Sequence, residues 1–176
     1  TTNGTTSYTT GFGGTSGATP IINGLGGCTI QMFTDGLFGY PGVTWQNRFG
    51  ARPHFTTVKC LMAATSRPLA LAKATRVQQG WGFPNLQDMY DLRDQMLVLN
   101  EEDVLRQGQS RTYYVFVKAQ ATDFRASMHY SDPATPPPYA APHRINSVDL
   151  KVTAPNGSIY WGNNGLGVSQ GSVSTP

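Results

Sequence analysis

The sequence predicts a mostly helical segment of about 100 residues followed by a β segment of about 70. Two observations carry this division. Apolar residues recur at helical spacings as far as Met96 and alternate beyond it, and Asn156-Gly157, between "KVTAP" and "SIYW", is a strong hairpin signal. The change of period sets a boundary near 98–108 and divides the chain into 1–100 and 101–176.

Residues 1–15, rich in Gly and Thr, read as a loop or weak strand. From Ser16 to about Phe33, Ala18, Ile21, Ile22, Leu25, Cys28, Ile30 and Met32 predict a helix. Each glycine on it costs about 0.8–1 kcal/mol against Ala, so this helix is expected to be buried, its glycines allowing close contact on every side. Asp35-Gly36 and Pro41-Gly42 mark turns. Pro53, with Phe55, Val58, Leu61 and Met62, signals a second helix that ends by Arg67-Pro68. "QGWGFP" is a turn, and Leu86, Met89, Tyr90 and Leu92 predict a third helical stretch. In the β segment "RTYYVFVKA" alternates, with Tyr113, Val115 and Val117 on one face and Tyr114 and Phe116 on the other. "FRASMHY" is expected to turn Phe124, Ala126, Met128 and Tyr130 inward, leaving Arg125, Ser127 and His129 outward. "VDLKV" buries Val148, Leu150 and Val152 against outward Asp149 and Lys151. "ATPPPYAAP" is a loop.

Only 13% of the 176 residues are charged, against about 25% in an average domain, while Gly numbers 20 and Pro 12. Such a polar, uncharged surface is common in secreted proteins, and a secreted or extracellular location is expected. The net charge of +3 comes from 13 Lys and Arg scattered singly from Arg48 to Lys151. Phosphate neutralisation needs clustered cations, so no nucleic-acid partner is expected. No stretch approaches the roughly 20 apolar residues of a membrane span, and no membrane association is expected. Cys28 and Cys60 form no CxxC pattern and are expected as two buried thiols, the alternative being one disulfide. The opening "TTNGTTSYTT" reads as a processed or truncated product. Asn3-Gly4-Thr5 and Asn156-Gly157-Ser158 match glycosylation sequons, a pattern that Asn-Gly turns also produce by chance.

Chemistry concentrates in "GGTSGATP", residues 13–20. A dinucleotide fingerprint fails because Ser16 stands at the third glycine position, and a phosphate loop fails for want of GK[ST]. The nucleophile elbow GxSxG is nearly met but ends in Ala18. What remains is a serine in the first turn of a helix, where unpaired N–H groups and the helix dipole would stabilise the oxyanion formed when Ser16 Oγ attacks a carbonyl. Pro20 is expected at an early helical position that needs no N–H. The alternative is a Ser N-cap with nothing to catalyse.

Gly14-Thr15-Ser16-Gly17-Ala18-Thr19-Pro20 resembles G-T-S-x-A-x-P, the nucleophile motif of subtilisin-like serine peptidases, with Gly17 where Met is commonest. "PHFTTVKCLMAATSRPL" is similar to the family's following helix, with Lys59 and Thr65 in register, and "QGWGFPNLQDMY" to the segment that closes the catalytic domain. Tyr130-Ser131-Asp132-Pro133, Ile145 to Leu150 and Ala154 to Asn163 resemble the C-terminal β-barrel of the KP-43-type subtilases. The resemblance implies the C-terminal, mostly helical portion of an α/β subtilisin-like domain, followed by an incomplete β-sandwich or jelly-roll barrel.

It also implies a Ser-His-Asp endopeptidase acting on polypeptides, with Ser16 as acylating nucleophile and its own N–H as one oxyanion donor. In subtilisin the order is Asp, His, Ser, and only fifteen residues precede Ser16. The catalytic Asp, the His and the oxyanion Asn are therefore expected from an N-terminal portion of the same subtilase, outside this chain. His54, beside a helix start, His129, on an outward face, and His143, in a Pro-rich loop, are not expected to replace the base. The chemistry requires no cofactor. The barrel of the resembled family binds structural calcium, for which Asp132, Asn146 and Asp149, with Asn163 and Asn164, are the candidates, although Ser147 replaces an acidic residue of the motif. The rival expectation is a non-catalytic scaffold or pseudopeptidase whose β domain binds a partner or calcium.

Overall fold

The computed structural model of the chain describes residues 11–70, 75–133 and 144–165. Its first helix, α1 (Thr15–Thr34), starts from Gly14, whose φ of 91° favours glycine, and the N–H groups of Gly17 and Ala18 both donate to Gly14 O at 3.1 Å. Asp35 closes it by donating its N–H to Gln31 O and Phe33 O. Helix α2 (Phe55–Thr65) follows Pro53 and ends at extended Ser66, ahead of Arg67-Pro68. The short α3 (Arg76–Gln79) was not foreseen from apolar spacing; it is set by a capping box between Thr75 and Gln78. Helix α4 (Leu86–Asp91) begins at Asn85, whose side chain accepts the Asp88 N–H at 3.1 Å, and one 3-10 turn at Arg93–Gln95 follows it.

Helices α1, α2 and α4 pack against one another around Phe33, Phe38, Leu61 and Met89. Met89 is fully buried, and Phe33 stacks on Tyr40 with centroids 4.9 Å apart. Burying each such side chain contributes about 1.5–3 kcal/mol. Threonine enters this core without a polar penalty because Thr29 and Thr65 return their hydroxyls to the carbonyls of Leu25 and Leu61, four residues back. The "QGWGFP" turn is pinned by an antiparallel bridge in which Arg67 and Phe83 exchange N–H···O bonds of 2.9 Å. Gly82, at φ 96°, sits against that bridge, and a Cβ there would fall 2.0 Å from Arg67 O. The Arg67 guanidinium pairs with both oxygens of Asp88 and ties the turn to α4.

In the β segment, β1 (Lys151–Thr153) and β2 (Ile159–Trp161) form the antiparallel hairpin that Asn156-Gly157 predicts, in register Lys151 to Trp161, Val152 to Tyr160 and Thr153 to Ile159. Val148, Leu150 and Val152 are half-buried and Asp149 and Lys151 exposed, as the alternation predicts. A two-stranded sheet does not by itself define a sandwich or a barrel. Residues 111–118 form no strand, but their exposure alternates as expected: Tyr113, Val115 and Val117 are 44%, 48% and 47% exposed, against 96% and 92% for Tyr114 and Phe116.

The stretch 124–130 departs from the expected faces in part: Met128 is half-buried as expected, but Ser127 and His129 are half-buried too and Arg125 reaches the end of α2. Arg125 donates to Ala64 O at 3.1 Å and Ser66 O at 3.0 Å, Ser127 O accepts the Cys60 thiol at 3.6 Å, and His129 lies half-buried beside Lys59. The free carbonyls at the end of α2 attract the guanidinium, so the Arg125 side chain turns toward the helix. Phe124, expected inward, is 48% exposed. Alternation marks two faces of a strand; only the neighbouring element decides which is covered.

Candidate active site

Ser16 is the second residue of α1, two positions beyond the capping Gly14. It is exposed, and no side chain caps this helix end, so Ser16 is not the N-cap of the alternative reading. Its N–H belongs to the first turn, where a helix has no carbonyl to offer, and no acceptor among the described residues takes it. Gly17 leaves room for the Phe12 ring, which would stand 2.7 Å from a Cβ. Pro20 lies inside the helix rather than in its first turn, correcting the early-position expectation. Its missing N–H leaves the Ser16 carbonyl without the usual partner four residues on. A hydroxyl, an unpaired N–H and the positive end of a twenty-residue helix thus meet at one exposed point.

The rest of α1 is not buried as expected. Within it only Gly17, Thr29 and Phe33 are buried, while Ile21, Ile22 and Ile30 are 52%, 41% and 42% exposed and Gly24 and Gly27 have open space where a Cβ would lie. Contacts with α2 and α4 occupy one flank, and the described residues supply nothing for the other. Cys28 lies exposed on this helix, against the expectation of a buried thiol, and both cysteines are free.

The structure does not bring a histidine to Ser16 among the described residues. His54 is half-buried at the start of α2, where Nδ1 lies 2.7 Å from Glu101 Oε1 and 2.9 Å from Thr56 Oγ1, and its N–H donates to Asn100 Oδ1 at 2.8 Å. This ring is a structural clamp between α2 and 98–101. His129 is not on an outward face; burial, followed by the Lys59 charge, pushes its pKa down. His143 lies outside the described residues. Cys60 is no rival nucleophile, because burial pushes its thiol pKa up despite bonds from Ser127 and His129.

Of the calcium candidates, Asp132 and Asn146 come together and Asp149 makes no bond to either. Asp132 accepts the Ile145 N–H at 2.7 Å, the Asn146 N–H at 2.9 Å and the Asn146 side-chain amide at 2.8 Å. Partial burial works to raise its pKa, and these bonds outweigh it, holding the carboxyl below its ordinary range. Calcium takes about six to eight oxygen ligands, whereas N–H donors fill the space around this carboxylate. Among the described residues no three His, Cys, Asp or Glu side chains come close enough to hold a metal. Asp132 here ties 130–133 to 145–146, and this hydrogen-bonded arrangement of the described residues does not fit the ion. No helix among the described residues is long and apolar enough to cross a membrane. No protein-family model, curated protein or solved structure matches the chain.

Proposed function

We propose that this chain carries the nucleophile of a subtilisin-like serine endopeptidase and that a polypeptide outside it supplies the Asp, the His and the oxyanion Asn. The observation that carries the reading is Ser16 itself: exposed, uncommitted to capping, and in the first turn of a glycine-started helix within G-T-S-x-A-x-P. Ser16 Oγ attacks the scissile carbonyl as the partner's imidazole takes its proton. The Ser16 N–H and the helix dipole stabilise the tetrahedral oxyanion. Collapse expels the amine with that proton, and water, deprotonated by the same imidazole, releases the acyl group and regenerates the serine. The exposed Ile21, Ile22 and Ile30 give the missing polypeptide an apolar surface to cover, and the open glycines let its backbone approach α1 closely.

Alone, the chain is expected to hydrolyse no peptide, since a serine without its base loses nearly all triad catalysis. Peptidase activity in the purified chain, surviving Ser16→Ala, would point to another nucleophile and overturn the proposal. The non-catalytic reading has no observation that favours it among the described residues, where Ser16 caps no helix.

A further inference from the structure

A second surface lies at the opposite end of α1. Val43 donates to Thr34 O at 2.6 Å, fixing a turn-rich segment to that helix end. Thr44 and Asn47 brace it: the Thr44 N–H donates to Asn47 Oδ1 at 2.5 Å, the Asn47 N–H returns a bond to Thr44 Oγ1 at 3.3 Å, and Gly50 and Ala51 donate to Asn47 O. On this frame the Arg48 guanidinium lies 3.8 Å from the Trp45 ring centroid and 4.8 Å from that of Phe49, and Arg52 lies 4.7 Å from Phe49. Arg48 also donates to Trp45 O at 2.9 Å and Arg52 to Arg48 O at 3.3 Å. Both guanidinium groups are therefore held before any ligand arrives, which lowers the ordering cost of binding.

Two properties mark this stack as lacking a partner. Arg67, Arg93, Arg111 and Arg125 each pair with an aspartate, but Arg48 and Arg52 pair with no carboxylate among the described residues. Trp45 and Phe49 remain 77% and 69% exposed. The surrounding sequence reinforces the charge: between Asp35 and Asp88 there are six Lys and Arg and no Asp or Glu. Carboxylates match guanidinium forks with paired bonds, and Trp and Arg are the residues that most often anchor protein interfaces.

We propose that Trp45, Arg48, Phe49 and Arg52 form an exosite for an acidic polypeptide whose carboxylates alternate with apolar side chains. This deepens the endopeptidase reading and rests on it for the occupant's role as substrate. Ser16 and Thr34 stand about 27 Å apart along α1. An extended chain reaching from the exosite to Ser16 needs at least about eight residues, so the exosite selects long acidic polypeptides over short peptides. Two guanidinium groups are few for a phosphate polymer, whose affinity grows with the number of charges neutralised. Insertion of the rings into a bilayer would carry both stacked charges toward hydrocarbon.

The test uses the intact chain and fluorescence anisotropy with a labelled twelve-residue peptide alternating Glu and Leu, and the same peptide with Gln for Glu. Expected are binding of the Glu peptide, binding of the Gln peptide weaker by about tenfold or more, and a similar loss in an R48Q/R52Q variant. Equal binding of the two peptides, no binding of the Glu peptide, or tighter binding of a twelve-residue oligothymidylate or phosphatidylserine vesicles overturns the proposal. The two-peptide comparison on the unaltered chain stands even if the variant misfolds. Because this is a binding measurement, its failure is distinguishable from failure of Ser16 as a nucleophile, which is read by covalent labelling.

Discussion

Ser16 and Gly82 show how differently single residues are specified. Ser16 is legible as chemistry because its motif surrounds it, yet its second-turn neighbour Pro20 is read as too early in the helix, because the sequence does not reveal that Gly14 is the cap and Thr15 the first helical residue. Gly82 is read from sequence only as a turn, whereas its environment demands glycine on two counts, a φ of 96° and a backbone carbonyl where a Cβ would go. Gly82→Ala is expected to cost at least about 2 kcal/mol, since strained backbone and an unrelieved backbone clash add together; urea unfolding checks it, and an unchanged midpoint would contradict the account. Tyr40 gives a pH signature. Its hydroxyl donates to Val98 O at 3.1 Å and accepts the Asn100 N–H at 2.8 Å. Burial, with Glu102 alongside, pushes its pKa from 10.0 up to about 12, against a smaller opposing pull from Asn100. The fold thus holds the protonated phenol more tightly than the unfolded chain does. This contribution is fully present below pH 10 and fades as pH rises toward about 12. Ultraviolet titration is expected to show a tyrosine that ionises only as pH approaches about 12, and Tyr40→Phe to remove that late step.

At the scale of elements, helices are readable wherever apolar spacing and end signals agree: α1 runs Thr15–Thr34 against an expected Ser16–Phe33, and α2 ends at Thr65, ahead of the Arg67-Pro68 by which it is expected to end. The short α3 carries its signal in a capping box rather than in apolar residues. What the sequence could not state is which surface each element meets. Helix α1 is expected to be buried because its glycines need compensation, yet Ile21, Ile22 and Ile30 remain open; in 124–130 Arg125 reaches the carbonyls at the end of α2, and Ser127 and His129 become half-buried beside Met128. The open flank of α1 separates folding from assembly. Ile22→Glu is expected to leave the chain's own stability within about 0.5 kcal/mol, as for other exposed sites. It is expected to weaken association with the completing polypeptide, measured by co-purification. A large loss of the chain's own stability would mean that this face is already covered.

At the scale of the whole molecule, α1 carries the two proposed functional surfaces at its ends, with the nucleophile at Ser16 and the arginine-aromatic stack beyond Thr34. The three-helix core around Phe33, Leu61 and Met89 fixes the helix that separates them, and His54, Asn100 and Glu101 clamp the following segment to α2. The change of period beyond Met96 marks the end of the described helices and the 3-10 turn, whereas strands among the described residues begin only at Lys151. The architecture of the β segment is not readable from sequence, because pairing depends on partners far apart in sequence, and β1 with β2 is the local pair that its turn specifies. The measurement that tests the central claim most directly is covalent labelling. The chain, assembled with the polypeptide proposed to supply the Asp and His, is exposed to a fluorophosphonate probe and the Ser16 peptide is examined by mass spectrometry. The account expects an adduct on Ser16 Oγ, absent from Ser16→Ala and from the isolated chain. An unlabelled Ser16 in the assembled protein, with the completing polypeptide's catalytic Asp and His present, would contradict it.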